Sequence, residues 1–122
     1  MAAEDSAMSV KGITNSEGAS SSFSKNKITL VTSNGFSNFY EKTRFSTAVS
    51  VIAGTGTKME RDYEYQSAIY SEDIDKPNEI GLIAGKRAVS RLNSIKIKSD
   101  KVPIIFDTRV SGGLVLILSN AI

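Results

Sequence analysis

The hydrophobic period of this chain switches near Pro77, from two residues to about 3.6. That change rules out an all-β or an all-helical fold and points to α+β. Over residues 18–68 the chain is rich in Ser, Thr, Phe, Tyr and Val, and alternation is frequent. Residues 19–24 and 27–32 read as two strands joined at Lys25-Asn26, a plausible two-residue hairpin turn. Asn34-Gly35 is the strongest local turn signal, because both residues tolerate positive φ. Residues 36–40 and a long run over 44–53 follow, with Phe45, Thr47, Val49 and Val51 on one face and Ser46, Ala48, Ser50 and Ile52 on the other. Gly54-Thr55-Gly56 then punctuates the chain, and 57–68 alternates cleanly again.

In that last run Glu60, Asp62, Glu64 and Gln66 share one face, and Met59, Arg61, Tyr63 and Tyr65 the other. Three carboxylates at period two could suggest a hard-metal or acid–base site. Same-face neighbours lie about 7 Å apart, too far to share one small ion unaided, so the row reads as a solvated face. The region from residue 18 to 68 is thus an expected antiparallel meander with one wet side.

A helix is expected over 75–93. Asp75 or Lys76 lies at its start, and Pro77 suits the first helical position, where its missing N–H has no partner to lose. Gly81, Ala84, Gly85, Ala88, Val89 and Leu92 form one arc, with Glu79, Lys86 and Arg87 opposite. An arc of small residues implies close backbone approach, and packing on the sheet is the expected use. A short strand over 102–106 and a helix from Asp107 or Thr108 through Ser119 complete the reading. The last helix carries Leu114, Val115, Leu116, Ile117 and Leu118, apolar nearly all round, and such a helix needs cover. The chain stops at Ile122 with nothing left to supply it, so the expectation is a single partial domain, with residues 1–17 as a lead-in.

Much chemistry is excluded by what is missing. The 122 residues include no Cys and no His, which removes disulfides, thiolate and imidazole metal ligands, thiol nucleophiles and the commonest neutral-pH base. Fifteen basic and 13 acidic residues give a net charge of +2, too balanced to name a partner. Lys86, Arg87, Arg91, Lys96, Lys98 and Lys101 make a basic stretch, but it lacks the interleaved aromatics of a nucleic-acid footprint. Gly54-Thr-Gly-Thr-Lys58 matches half of a phosphate loop without its six-residue glycine spacing, and reads as a turn. Residues 1–10, with Glu4 and Asp5, have no signal-peptide pattern, and the longest apolar run, 114–118, falls far short of the ~20 residues needed to span a bilayer.

Gly12-Ile-Thr-Asn-Ser-Glu-Gly-Ala-Ser20, Thr32-Ser-Asn-Gly-Phe-Ser37 and Met59-Glu-Arg-Asp-Tyr-Glu-Tyr65, then Ala88-Val-Ser-Arg-Leu-Asn93, Val102-Pro-Ile-Ile-Phe-Asp107 and Arg109-Val-Ser-Gly-Gly-Leu114, follow one another along the chain. Taken in that order they resemble the TldD/PmbA family, in its PmbA (TldE) branch. The resemblance covers nearly the whole chain but only the middle of a complete member. It implies a cytosolic two-subunit metallopeptidase that trims or degrades peptides, linked to microcin maturation, antitoxin turnover and the older name "modulator of DNA gyrase". The TldD subunit carries a His-Glu-x-x-x-His zinc motif on the helix after the Pro-containing strand. Matched to this chain, its positions hold Leu116, Ile117 and Ala121, none of which can bind zinc or activate water. The resemblance therefore implies no catalytic, cofactor-binding or metal residue here. It implies a non-catalytic segment whose partners are a TldD-like catalytic subunit and the remainder of a PmbA-like chain. Peptide substrate is met only through that complex, with no nucleic acid and no membrane, and the isolated chain is expected to self-associate. A remnant of a split or decayed gene, and an active metal-dependent peptidase, are the alternatives.

Overall fold

The Asn34-Gly35 turn organises the sheet. In the computed structural model, which describes residues 1–122, it joins β1 (Ile13–Val31) to β2 (Ser37–Ala53), with Gly35 at φ 89°. The Thr32 N–H donates to the Phe36 carbonyl at 2.9 Å and closes the loop. β3 (Glu60–Ala68) pairs with β2, so the three strands form one antiparallel sheet in the order β1-β2-β3. The helices are α1 (Ala2–Met8), α2 (Pro77–Ser90) and α3 (Thr108–Asn120). The expected α+β meander with a packed helix is the observed architecture.

The expected turn at Lys25-Asn26 does not form. Lys25 pairs with Thr43 and Asn26 with Lys42 in an unbroken ladder, and neither residue has the positive φ that a tight hairpin turn demands. Residues 36–40 and 44–53 likewise merge into one strand. β3 pairs with β2 only between Phe45 and Ala53, so the far ends of β1 and β2 run on as a two-stranded arm. At ~3.4 Å per residue the eight positions of 24–31 carry it about 25 Å beyond the third strand. β3 itself starts at Glu60 rather than at 57, because Gly56–Lys58 is a single 3₁₀ turn. Gly54, at φ 78°, sits under that turn, where a Cβ would lie 2.7 Å from the Lys58 carbonyl oxygen and 2.8 Å from Leu92 Cδ2.

The meander's wet face is the opposite of the one expected. Asp62 and Glu64 are buried, whereas Tyr63 and Tyr65 are 50% and 46% exposed. Register explains the reversal: Glu60, Asp62 and Glu64 pair with Ala53, Val51 and Val49, the three fully buried residues of β2. Cross-strand partners share a face, so the carboxylates follow the valines toward the helices.

The core joins Val49, Val51 and Ala53 to Ile80, Ala84 and Ala88 of α2 and to Ala3 and Ala7 of α1. α2 starts as expected, with Lys76 at its cap and Pro77 in the first helical position. Its two glycines do not face the sheet. A Cβ on Gly81 would collide with the Ala3 carbonyl oxygen, and one on Gly85 would lie 2.7 Å from Val10 Cγ2 and 3.0 Å from the Ala7 carbonyl oxygen, so they receive α1 and the residues just after it. α1 lies in what reads from sequence as a lead-in.

The strand expected over 102–106 is absent. Val102, Ile104 and Ile105 favour extended backbone, but no neighbouring strand is offered to them, and Ile105 is 98% exposed. α3 begins where expected, with the Asp107 carboxylate accepting from the Arg109 N–H at 2.8 Å. None of its residues is buried. No helix of the chain is long and apolar enough to cross a membrane.

Candidate functional site

The densest polar constellation lies where β3 meets α2. Strand period two aims Glu60, Asp62, Glu64 and Gln66 at the helix, while the i, i+4 spacing of Arg87 and Arg91 puts both guanidiniums on the side of α2 that meets them. Arg87 pairs with Glu64. Arg91 Nη1 donates to Asp62 Oδ2 at 3.3 Å, and its Nε lies 3.8 Å from Glu60 Oε2. The Ser94 hydroxyl donates to Glu60 at 3.3 Å. Gln66 closes the row by accepting from the Asp75 N–H at 2.9 Å and donating to the Asp75 carboxylate.

A third guanidinium arrives from α3. Arg109 Nη1 donates to Asp62 Oδ1 and to the Tyr63 carbonyl, each at 2.8 Å, and its Cζ lies 4.8 Å from the centre of the Tyr63 ring. Burial pushes the Asp62 carboxyl up. The hydrogen bonds from Arg109, the Tyr63 N–H and Arg91 outweigh that effect and hold it below the usual carboxylate range. No buried side-chain polar atom lacks a partner. Each carboxylate of the row is already occupied by a cation or hydrogen-bond donor, and nowhere do three or more acidic side chains converge in a geometry that could hold a metal ion.

On the outer face, Glu17 accepts from the Ser50 hydroxyl at 2.6 Å and from Arg61 Nη1 at 3.2 Å, which lowers its carboxyl. Tyr65 is hydrogen-bonded by Arg44 at 3.0 Å. Leu116 and Ile117, at the positions matched to the zinc motif, lie on exposed turns of α3, and Ala121 is its C-terminal cap. Gly54 and Gly56 of the half phosphate loop are turn residues, at φ 78° and 61°.

The sequence reading did find the Glu60–Asp62–Glu64 row, but as a surface. It missed the arginines' role. The signal was present in the pairing of a carboxylate period of two on a strand with an arginine period of four on the following helix.

A three-stranded antiparallel meander, with α1 and α2 packed on one face and an ion-paired third strand, defines an α+β domain. Residues 1–92 match the family model described as the PmbA/TldA metallopeptidase central domain, and the chain belongs to that family. It is 36% identical over 118 residues to the metalloprotease PmbA homolog of Buchnera aphidicola subsp. Acyrthosiphon pisum (strain APS), across 92% of this chain and 25% of that protein. Against metalloprotease PmbA of Escherichia coli O157:H7 it is 36% identical over 104 residues, 85% of this chain and 23% of that one. A crystal structure from Thermotoga maritima MSB8, described as a modulator of a DNA gyrase, superposes with a TM-score of 0.73 at 21% identity, over 81% of this chain and 23% of the other. That likeness is one of fold. The chain spans about a quarter of the length of the curated relatives it matches.

Proposed function

We propose that this chain is a non-catalytic structural segment of a PmbA-type subunit in a cytosolic TldD/PmbA metallopeptidase system, with peptides as the substrates of the whole. The observation that carries the reading is the state of the acidic row. Glu60, Asp62 and Glu64 are the only carboxylates set side by side on a strand facing the core, and arginines occupy all three. A general base or a metal ligand works best when it is open to substrate or ion, and each of these carboxylates is instead engaged by an arginine from the helices. Leu116, Ile117 and Ala121 add no donor where the catalytic subunit of the family carries its zinc motif.

In this reading the chain supplies shape and contact surface to a TldD-like subunit that performs the cleavage. The test is to incubate the purified chain with an unstructured peptide and zinc, alone and together with a TldD-like subunit. Cleavage is expected only in the mixture, with the two chains co-migrating by size. Chelator-sensitive cleavage by this chain alone, at a rate reduced by Asp62→Asn, would overturn the proposal.

A further inference from the structure

Asp62 lies at a junction between two parts of the chain. It falls within residues 1–92, which match the central domain, whereas Arg109 lies beyond that boundary in α3. Between them, residues 94–107 form neither strand nor helix. Every hydrogen bond that joins α3 to the sheet is donated by Arg109, one to the carboxylate of Asp62 and one to the carbonyl of Tyr63. The Tyr63 ring lies against the guanidinium, so three contacts fix its plane. Asp62 presents its two oxygens separately: Oδ2 to Arg91 of α2 and Oδ1 to Arg109.

We propose that Asp62 is a shared acceptor that sets the direction in which the chain leaves the central domain, with Arg91 as its folding partner and Arg109 as the positioning residue for α3. The division of labour follows from the two oxygens. Removing Arg109 leaves Asp62 still held by Arg91 and by the Tyr63 N–H, so the central domain keeps a satisfied buried carboxylate. Removing Arg91 strips the helix–strand contact from Asp62 and Glu60 together, but leaves Arg109 in place. The guanidinium donates from one nitrogen to a carboxylate and a carbonyl while its flat face rests on the aromatic ring; an ammonium could donate to both oxygens but has no planar face to lay on the ring.

The chain has no cysteine, so a label pair can be introduced cleanly at the exposed positions Thr57→Cys and Asn120→Cys. Spin-label distances are measured on full-length chain diluted into unlabelled chain, so that only intramolecular pairs report. Thermal midpoints are taken on the same samples. The parent is expected to give one narrow distance distribution. Arg109→Ala should broaden it at least twofold with the midpoint nearly unchanged, and Arg109→Lys should fall between the two. Arg91→Ala should lower the midpoint and keep the distribution narrow. A narrow distribution in Arg109→Ala, a loss of folding in that variant, or broadening in Arg91→Ala equal to that in Arg109→Ala would each overturn the proposal.

Discussion

Gly81→Ala tests whether α1 is seated on α2 by backbone contact. In a helix interior the change should help, since Ala is favoured over Gly by about 1 kcal/mol. Here the added methyl collides with the Ala3 carbonyl oxygen and would lie 2.9 Å from the Ala3 carbonyl carbon and 3.0 Å from the Ala7 N–H nitrogen. All three neighbours are backbone atoms of a short helix, so none can swing aside, and α1 must move as a unit. Overpacking of a tight interior costs about 1–3 kcal/mol, and displacing α1 also exposes Ala3 and Ala7, which are 4% and 0% exposed in the native fold. The propensity gain offsets part of this, and a net destabilisation of about 1–3 kcal/mol is expected. Urea unfolding followed by circular dichroism measures it, and hydrogen exchange over residues 2–8 should show α1 opening before the sheet. Gly112→Ala in α3 is the control, because nothing lies within 4 Å of a Cβ there. It should leave the core transition unchanged. A Gly81→Ala chain as stable as the parent, with α1 still protected, would refute the close helix–helix contact.

Three further outcomes are expected. Because Arg109, Arg91 and the Tyr63 N–H hold the Asp62 carboxyl low in the native state, its contribution is present above the unfolded carboxylate pKa of about 3.9 and fades as pH falls through the depressed native value. The difference in thermal midpoint between parent and Asp62→Asn should be constant near neutrality and shrink in acid, and a constant difference down to the lowest accessible pH would contradict the assignment. Gly35→Ala forces an L-residue to φ 89°, with an expected penalty of about 1–2 kcal/mol, seen as faster exchange confined to the arm residues of β1 and β2. Leu116→Lys with Leu118→Lys should reduce self-association in sedimentation at micromolar concentration, since those side chains are 61% and 64% exposed. Identical sedimentation of parent and double variant would remove α3 as the sticky element.

What could be read from the sequence followed local rules, and what could not depended on a distant partner. Asn34-Gly35, Pro77 and Asp107 mark their turn, helix start and cap through their own backbone chemistry, and the structure places each there. Lys25-Asn26 reads as a turn only because polar residues interrupt the apolar pattern. The ladder to Thr43 and Lys42, nearly twenty residues on, keeps the strand going. The side of β3 that faces inward was illegible because alternation gives a period and not a sign. Val49 and Val51 supply the sign through register. The carboxylate row shows the same dependence: only α2 docking reveals that Arg87 and Arg91 complete it. α1 escaped notice because seven residues with two acidic side chains have little helical signal of their own, and its glycine seat lies at the other end of the domain.

That glycine seat also bears on the order of assembly. β1 and β2 are neighbours in sequence and can zip outward from Asn34-Gly35 within microseconds, with β3 adding next along the chain. α1 cannot join until α2 exists, because Ala3 and Ala7 have no other helix to meet. The first residues of the chain are therefore among the last to find their place. Closing so long a loop carries an entropic penalty that rises only as the logarithm of its length, so the delay is one of sequence order more than of energy. During synthesis α1 would wait for some seventy residues to follow it before it could dock, leaving Ala3, Ala7 and Val10 open to other contacts for that interval.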